Sequence, residues 1–137
     1  MSKKQFQILV IFSYLLAIFA GLFDLIWPNP VADQALDYII ELEGEVSDAK
    51  AILFAVLVFL EIVFIIVCLV GLLKFKSWGR KLYLASFLLM LPLYPLMGIY
   101  VSSGLGQLFA DVTMILSGVI LALIYYSPVA KYFETTI

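Results

Sequence analysis

In 137 residues the sequence has no histidine and a single cysteine, Cys68. Without imidazole, histidine-ligated haem, zinc or copper and histidine acid–base catalysis are excluded. A lone cysteine cannot close an internal disulfide, form a CxxC redox pair or hold a thiolate cluster. Cys68 lies inside an apolar run and reads as a small buried hydrophobe. Charge is scarce as well. Only 13% of residues are Asp, Glu, Lys or Arg, about half the share that keeps a soluble domain wetted. The net charge of −2 gives no footing for nucleic acid, and no residue set calls for a cofactor. Nothing pairs a nucleophile with a base, collects metal ligands or forms a phosphate-cradling glycine loop, so an enzyme is not expected.

What is present is apolar: 65% of residues are hydrophobic and the mean hydropathy is +1.14. A helix needs about 20 largely apolar residues to cross roughly 30 Å of hydrocarbon. Four segments qualify, at 6–27, 51–73, 81–101 and 107–126. They lack the alternation of barrel strands, so helices must satisfy their backbone groups. The expected fold is an all-α membrane protein, a four-transmembrane-helix bundle in one domain over residues 1–137. The first run follows Lys3 and Lys4 as a signal peptide does. It exceeds the usual apolar stretch of about 7–15 residues, however, and no clean small-x-small site follows, so it reads as a retained span.

Lys3, Lys4, Lys74, Lys76, Arg80, Lys81 and Lys131 all fall on one side of such a bundle, which the positive-inside rule makes cytoplasmic. Both termini then lie in the cytoplasm. The opposite loops hold Lys50 as their one basic residue, against Asp33, Asp37, Glu41, Glu43, Glu45 and Asp48. Trp27, Trp78, Tyr100, Tyr125 and Tyr126 fall near span ends, where amphipathic rings anchor at the interface. The brevity, basic start and lean loops suit a bacterial cytoplasmic (inner) membrane.

The one sizeable loop, 28–50, has a pattern of its own. Asn29 and Pro30 read as a cap and a first-turn proline. Ala32, Ala35, Leu36, Ile39 and Ile40 then recur at helical spacing opposite Asp33, Asp37 and Glu41. A short amphipathic helix at about 30–43 is expected on the outer surface or over the bundle mouth. It serves either as a solvated cover or as a docking site for a basic partner.

Three acids fall within the spans, Asp24, Glu61 and Asp111, and each costs about 2.5–3.5 kcal/mol at mid-helix. Glu61 lies about 16 Å below Lys50 at 1.5 Å per residue, near the midplane. At that depth hydrocarbon disfavours the carboxylate form. Ser117 in the fourth span lies at nearly the same depth, and Tyr14 in the first is the other candidate partner. Such an acid is either a hydrogen-bonding post between helices or the proton site of a transporter. Asp24 continues the stripe of Ser13, Ala17 and Gly21, while Asp111 lies seven residues before Gly118, itself four before Ala122. Small residues at this spacing let helices approach closely. If the two stripes meet, Asp24 and Asp111 share a proton or hold a small cation; otherwise each reaches interface water. Pro92 and Pro95 should kink the third span, and with Gly98 and the SSGLG segment beyond they mark the loosest part of the bundle.

Four spans with one mid-membrane acid resemble the small multidrug exporters, dimers with a protonatable Glu. That family carries its Glu in the first span, whereas Glu61 is in the second, and its later aromatic and glycine motifs are missing. The Glu-Arg motif of membrane glutathione-metabolising proteins does not match LKFKSWGRKLYL. The cysteines of tetraspanins, claudins and quinone-linked disulfide-forming enzymes are lacking. No family follows from these likenesses. Two functions remain: a non-enzymatic protein acting on a membrane partner (an accessory subunit or an immunity-type inhibitor), or a small homo-oligomeric proton-coupled transporter or channel using Glu61.

Overall fold

The computed structural model describes residues 1–27, 29–43, 48–90 and 101–134. Among these the chain is helical throughout, with no strand. The order is α1 (Lys3–Ile26), α2 (Pro30–Glu43), α3 (Asp48–Leu73), α4 (Ser77–Met90), α5 (Gly104–Tyr126) and a 3₁₀ segment, Pro128–Phe133. α1, α3 and α5 are long and apolar enough to cross a membrane. α4 covers the first part of the expected span 81–101. Residues 91–100, with Pro92, Pro95, Gly98 and Tyr100, lie outside the described residues.

The helices start earlier than hydropathy alone suggests, because polar caps extend them. Ser2 opens α1 with a capping box: the Gln5 amide donates to the Ser2 hydroxyl, and the Ser2 amide donates to the Gln5 side chain. Asn29 caps α2 through the Val31 amide, 3.1 Å away. Ser103 caps α5, so the SSGLG segment, expected to be loose, instead holds the cap and first turn of a helix. A serine hydroxyl that satisfies an orphan amide overrides the flexibility of the two glycines.

Side-chain burial concentrates at the end where the chain termini lie. Phe6 and Val10 of α1, Leu72 of α3, Ile124 of α5 and Val129 and Phe133 of the 3₁₀ segment are all buried there. Phe75 is the keystone. Its backbone has φ 53°, a left-handed geometry that glycine usually supplies. Two bonds close the turn: Phe75 N–H to the Leu72 carbonyl and Lys76 N–H to the Gly71 carbonyl. The conformation costs about 1–2 kcal/mol. In return the ring packs against Phe6, Tyr132 and Phe133 at 5.7, 5.6 and 5.3 Å. Aromatic pairs contribute about 0.5–1.5 kcal/mol each, so together they outweigh the strain. The Lys3 ammonium stands over the rings of Phe75 and Tyr132 at 5.5 and 5.1 Å.

α1 runs antiparallel to α5 and packs along it most extensively, while α3 and α4 form a tight helical hairpin. Gly71 and Gly79 bring the two backbones of that hairpin into close approach. A Cβ added to Gly79 would stand 2.7 Å from the Gly71 Cα. Gly21 and Gly118, expected at close helix contacts, have nothing within 4 Å of an added Cβ. Ala17 and Ala122 are exposed, and of the two small-residue stripes Ser13 alone is buried. The outer half of the α1–α5 seam is filled by rings instead, with Phe109 set 5.0 Å from Phe19 and 5.3 Å from Phe23.

Away from the terminal end the helices present apolar side chains outward. On α3, Leu53, Val56, Phe59, Leu60, Val63 and Ile66 are all exposed. Such a surface is unfavourable in water and suited to lipid.

Candidate functional site

Four helices contribute residues to a cavity of about 390 Å³. Helical spacing puts its lining residues on single faces. α1 supplies Tyr14 and Ile18, α3 supplies Glu61 and Ile65, α4 supplies Tyr83 and Phe87, and α5 supplies Thr113 and Ser117. Each pair is four residues apart. Ser13, Ala17 and Ser86 complete the wall.

The depth of the cavity follows from helix position. Tyr14 is the twelfth of 24 residues in α1, Glu61 the fourteenth of 26 in α3, and Ser117 the fourteenth of 23 in α5. All three lie near the middle of helices long enough to span. The structure therefore brings Glu61, Ser117 and Tyr14 to one cavity. Among the described residues Glu61 has no hydrogen-bond or ion-pair partner, and no lysine or arginine lines the wall.

Three hydroxyls around the cavity are turned toward backbone carbonyls. Ser86 donates to the Tyr83 carbonyl at 2.7 Å and Thr113 to that of Phe109 at 2.8 Å. Tyr83 donates to the Ser117 carbonyl at 3.3 Å, which ties α4 to α5. Sequence reasoning missed Tyr83, Ser86 and Thr113 as wall residues. The signal for Thr113 was its spacing of four from Ser117; for Tyr83 and Ser86 nothing short of the α3–α4 hairpin geometry would have found them.

Asp24 and Asp111 take separate partners. The Asp24 carboxylate accepts from the Ser103 amide at 3.2 Å and from the Ser103 hydroxyl, and that hydroxyl in turn accepts from the Gly106 amide at 3.0 Å. An added Cβ at Gly106 would meet Asp24 Oδ2 at 2.8 Å, so a larger residue there would require the carboxylate to shift. Asp111 accepts from the Gln107 side chain at 2.8 Å on an exposed face. Of the two alternatives for these acids, pairing is not formed: Asp24 makes a helix-start contact and Asp111 a same-helix contact. Among the described residues no group of three or more potential metal ligands is assembled.

Comparison with known proteins finds no matching family model, no matching curated protein and no matching solved structure.

Proposed function

We propose that this chain is a non-enzymatic membrane protein that crosses the bilayer four times and works at the Glu61 cavity, as a small homo-oligomeric proton-coupled transporter or channel. The observation that carries this reading is an acid without a charge partner, halfway along an apolar helix, on the wall of a cavity shared by four helices. Holding an acid there is costly, and a proton path or ligand site is the common reason for the cost.

Four crossings are supported by where the described segments end. Leu73 of α3 accepts from Gln7 near the start of α1, whereas Ser103 is bonded to Asp24 near the end of α1. A chain that leaves α3 beside the start of α1 and enters α5 beside the end of α1 fits a further crossing between Ser77 and Ser103. The basic residues Lys3, Lys74, Lys76 and Arg80 gather at the end carrying the termini, which supports a cytoplasmic placement for both. A bacterial inner membrane fits the same pattern. One bundle of this size has little room for a continuous path, and the exposed flank of α3 offers a face for a second copy.

The test is proton flux in liposomes holding the purified chain, compared with Glu61→Gln. Loss of flux in a variant that elutes and melts like the parent supports the reading. Flux unaltered by the substitution removes it.

The same exposed flank favours a second reading, in which the chain is an accessory subunit or an immunity-type protein held by a foreign membrane helix. α2 adds a further contact surface, with Val31, Leu36, Tyr38 and Ile40 exposed beside Asp33, Asp37 and Glu41. Gentle extraction from native membranes followed by native mass spectrometry separates the two. A stoichiometric foreign protein supports the accessory reading, and a homo-oligomer supports transport.

A further inference from the structure

We infer that the terminal end of the bundle binds the head group of an anionic phospholipid through Lys3, Lys74 and Lys76, with the acyl chains lying along α1 and α3. The inference needs the long helices to stand in a membrane and does not depend on what Glu61 does there.

Folding gathers the three bases around one ring. Lys3 lies in the first turn of α1, one turn before the buried Phe6 and the half-buried Gln7. Its ammonium stands 5.5 Å from the centre of the Phe75 ring and 5.1 Å from that of Tyr132. Lys74 and Lys76 flank Phe75 in the chain, so each Cα is about 3.8 Å from the Phe75 Cα. The turn that carries them is fixed by bonds from the Phe75 and Lys76 amides to the carbonyls of Leu72 and Gly71. Phe75 itself is buried, while Lys74 and Lys3 are exposed and Lys76 is half-exposed. One buried ring thus anchors bases from two distant parts of the chain.

The protein does not balance that charge. Lys3, Lys74 and Lys76 have no ion-pair partner among the described residues. The one acid described at this end is Glu134, just past the 3₁₀ segment. Like charges gathered without a counter-charge repel one another, so an anion placed among them is favoured. The rings attract Lys3 through its charge and leave its three N–H groups as donors. Phosphate oxygens accept from such donors in short, charge-assisted bonds.

The surface beside the bases argues for a lipid over a free phosphate. Gln7 Nε2 joins α1 to the end of α3 through the Leu73 carbonyl, at 2.9 Å. Farther along the same two helices Ile11 and Ile18 of α1 and Ile62 and Ile66 of α3 are exposed. A free phosphate would use the bases alone. A phospholipid presents its acceptors at the end of the spans and its chains to the apolar flank, and basic residues just beyond a span attract anionic lipid. The other bases of α4 are placed differently. Arg80 stands over the Tyr125 ring at 5.7 Å, and Lys81 shares the exposed face of Leu84 and Leu88. They add charge to this end of the bundle without flanking or covering the Phe75 ring.

The test is native mass spectrometry of the full chain in an uncharged detergent, titrated with dioleoyl phosphatidylglycerol or with the zwitterionic dioleoyl phosphatidylcholine. Such micelles offer no charged surface, so retained lipid reports a site. The anionic lipid should bind with a Kd at least about tenfold below that of the zwitterionic one. The Lys3→Gln, Lys76→Gln double variant should weaken it about ten- to thirtyfold, since each lysine beside anionic lipid contributes about fivefold. The Arg80→Gln, Lys81→Gln double variant removes the same charge and should change it less than about threefold. A large excess of inorganic phosphate should leave the lipid in place. Equal retention of the two lipids, or equal weakening by the two double variants, overturns the inference. Displacement by inorganic phosphate overturns it as well and makes a soluble phosphate the occupant. If the Lys3→Gln, Lys76→Gln variant fails to fold, Lys74→Gln with Lys76→Gln, which keeps Lys3 on its rings, decides in the same way.

Discussion

Asp24 and Ser103, 79 residues apart, join the ends of α1 and α5 through two hydrogen bonds to one carboxylate. Ser103 is itself the N-cap of α5, so the charge of Asp24 sits at the positive end of that helix dipole. Bonds to a charged group contribute about 1.5–3 kcal/mol. Asp24→Ala should therefore lower stability by about that amount, measured by reversible unfolding in mixed micelles. Asp111→Ala, which removes an exposed same-helix contact, should cost less than about 0.5 kcal/mol. Equal effects at the two sites would count against this division of roles.

The glycines separate in the same way. Gly79→Ala forces a Cβ onto the Gly71 backbone, and neither helix of the hairpin can yield without moving the other. We expect a loss of about 1–3 kcal/mol or more. Gly21→Ala and Gly118→Ala meet open space and should be neutral or stabilising by up to about 1 kcal/mol, since alanine favours helix. Melting curves of the three variants in one detergent give the order directly.

Phe75 allows an ordering test. Phe75→Ala loses the ring and keeps the left-handed backbone, at about 3–5 kcal/mol. Phe75→Gly loses the same ring but relaxes the backbone, and should recover about 1 kcal/mol of that cost. If glycine is no better than alanine, the positive φ contributes nothing to the energetics of this turn.

The proposed four crossings with cytoplasmic termini make an accessibility prediction. Cys68 is 1% exposed, so a membrane-impermeant thiol reagent should leave the parent chain unlabelled from either side. Asp37→Cys in α2 should label from outside in intact cells, and Lys76→Cys should label only after the membrane is opened. Labelling of both from one side would rule out the proposed topology.

Tyr83→Phe removes the bond to the Ser117 carbonyl while keeping the ring in place. A loss of about 0.5–1.5 kcal/mol in thermal stability is expected. Unchanged stability would mean that the bond does not tie α4 to α5.

By itself the sequence determined what depends on local pattern and on the solvent. Apolar runs in α1, α3 and α5 are long enough to span, α2 is amphipathic, and the depth of Glu61, Ser117 and Tyr14 follows from a fixed rise per residue. None of that requires knowing which helices touch. The tertiary structure alone decided the partners. It put Asp24 on Ser103 instead of Asp111, placed Gly71 against Gly79 while Gly21 and Gly118 face open space, and brought Tyr83 and Ser86 to the Glu61 cavity. The reason is that lipid is as apolar as the side chains, so hydrophobicity does not choose among helix faces. Ring shape, backbone approach and individual hydrogen bonds make that choice, and each depends on residues distant in the chain.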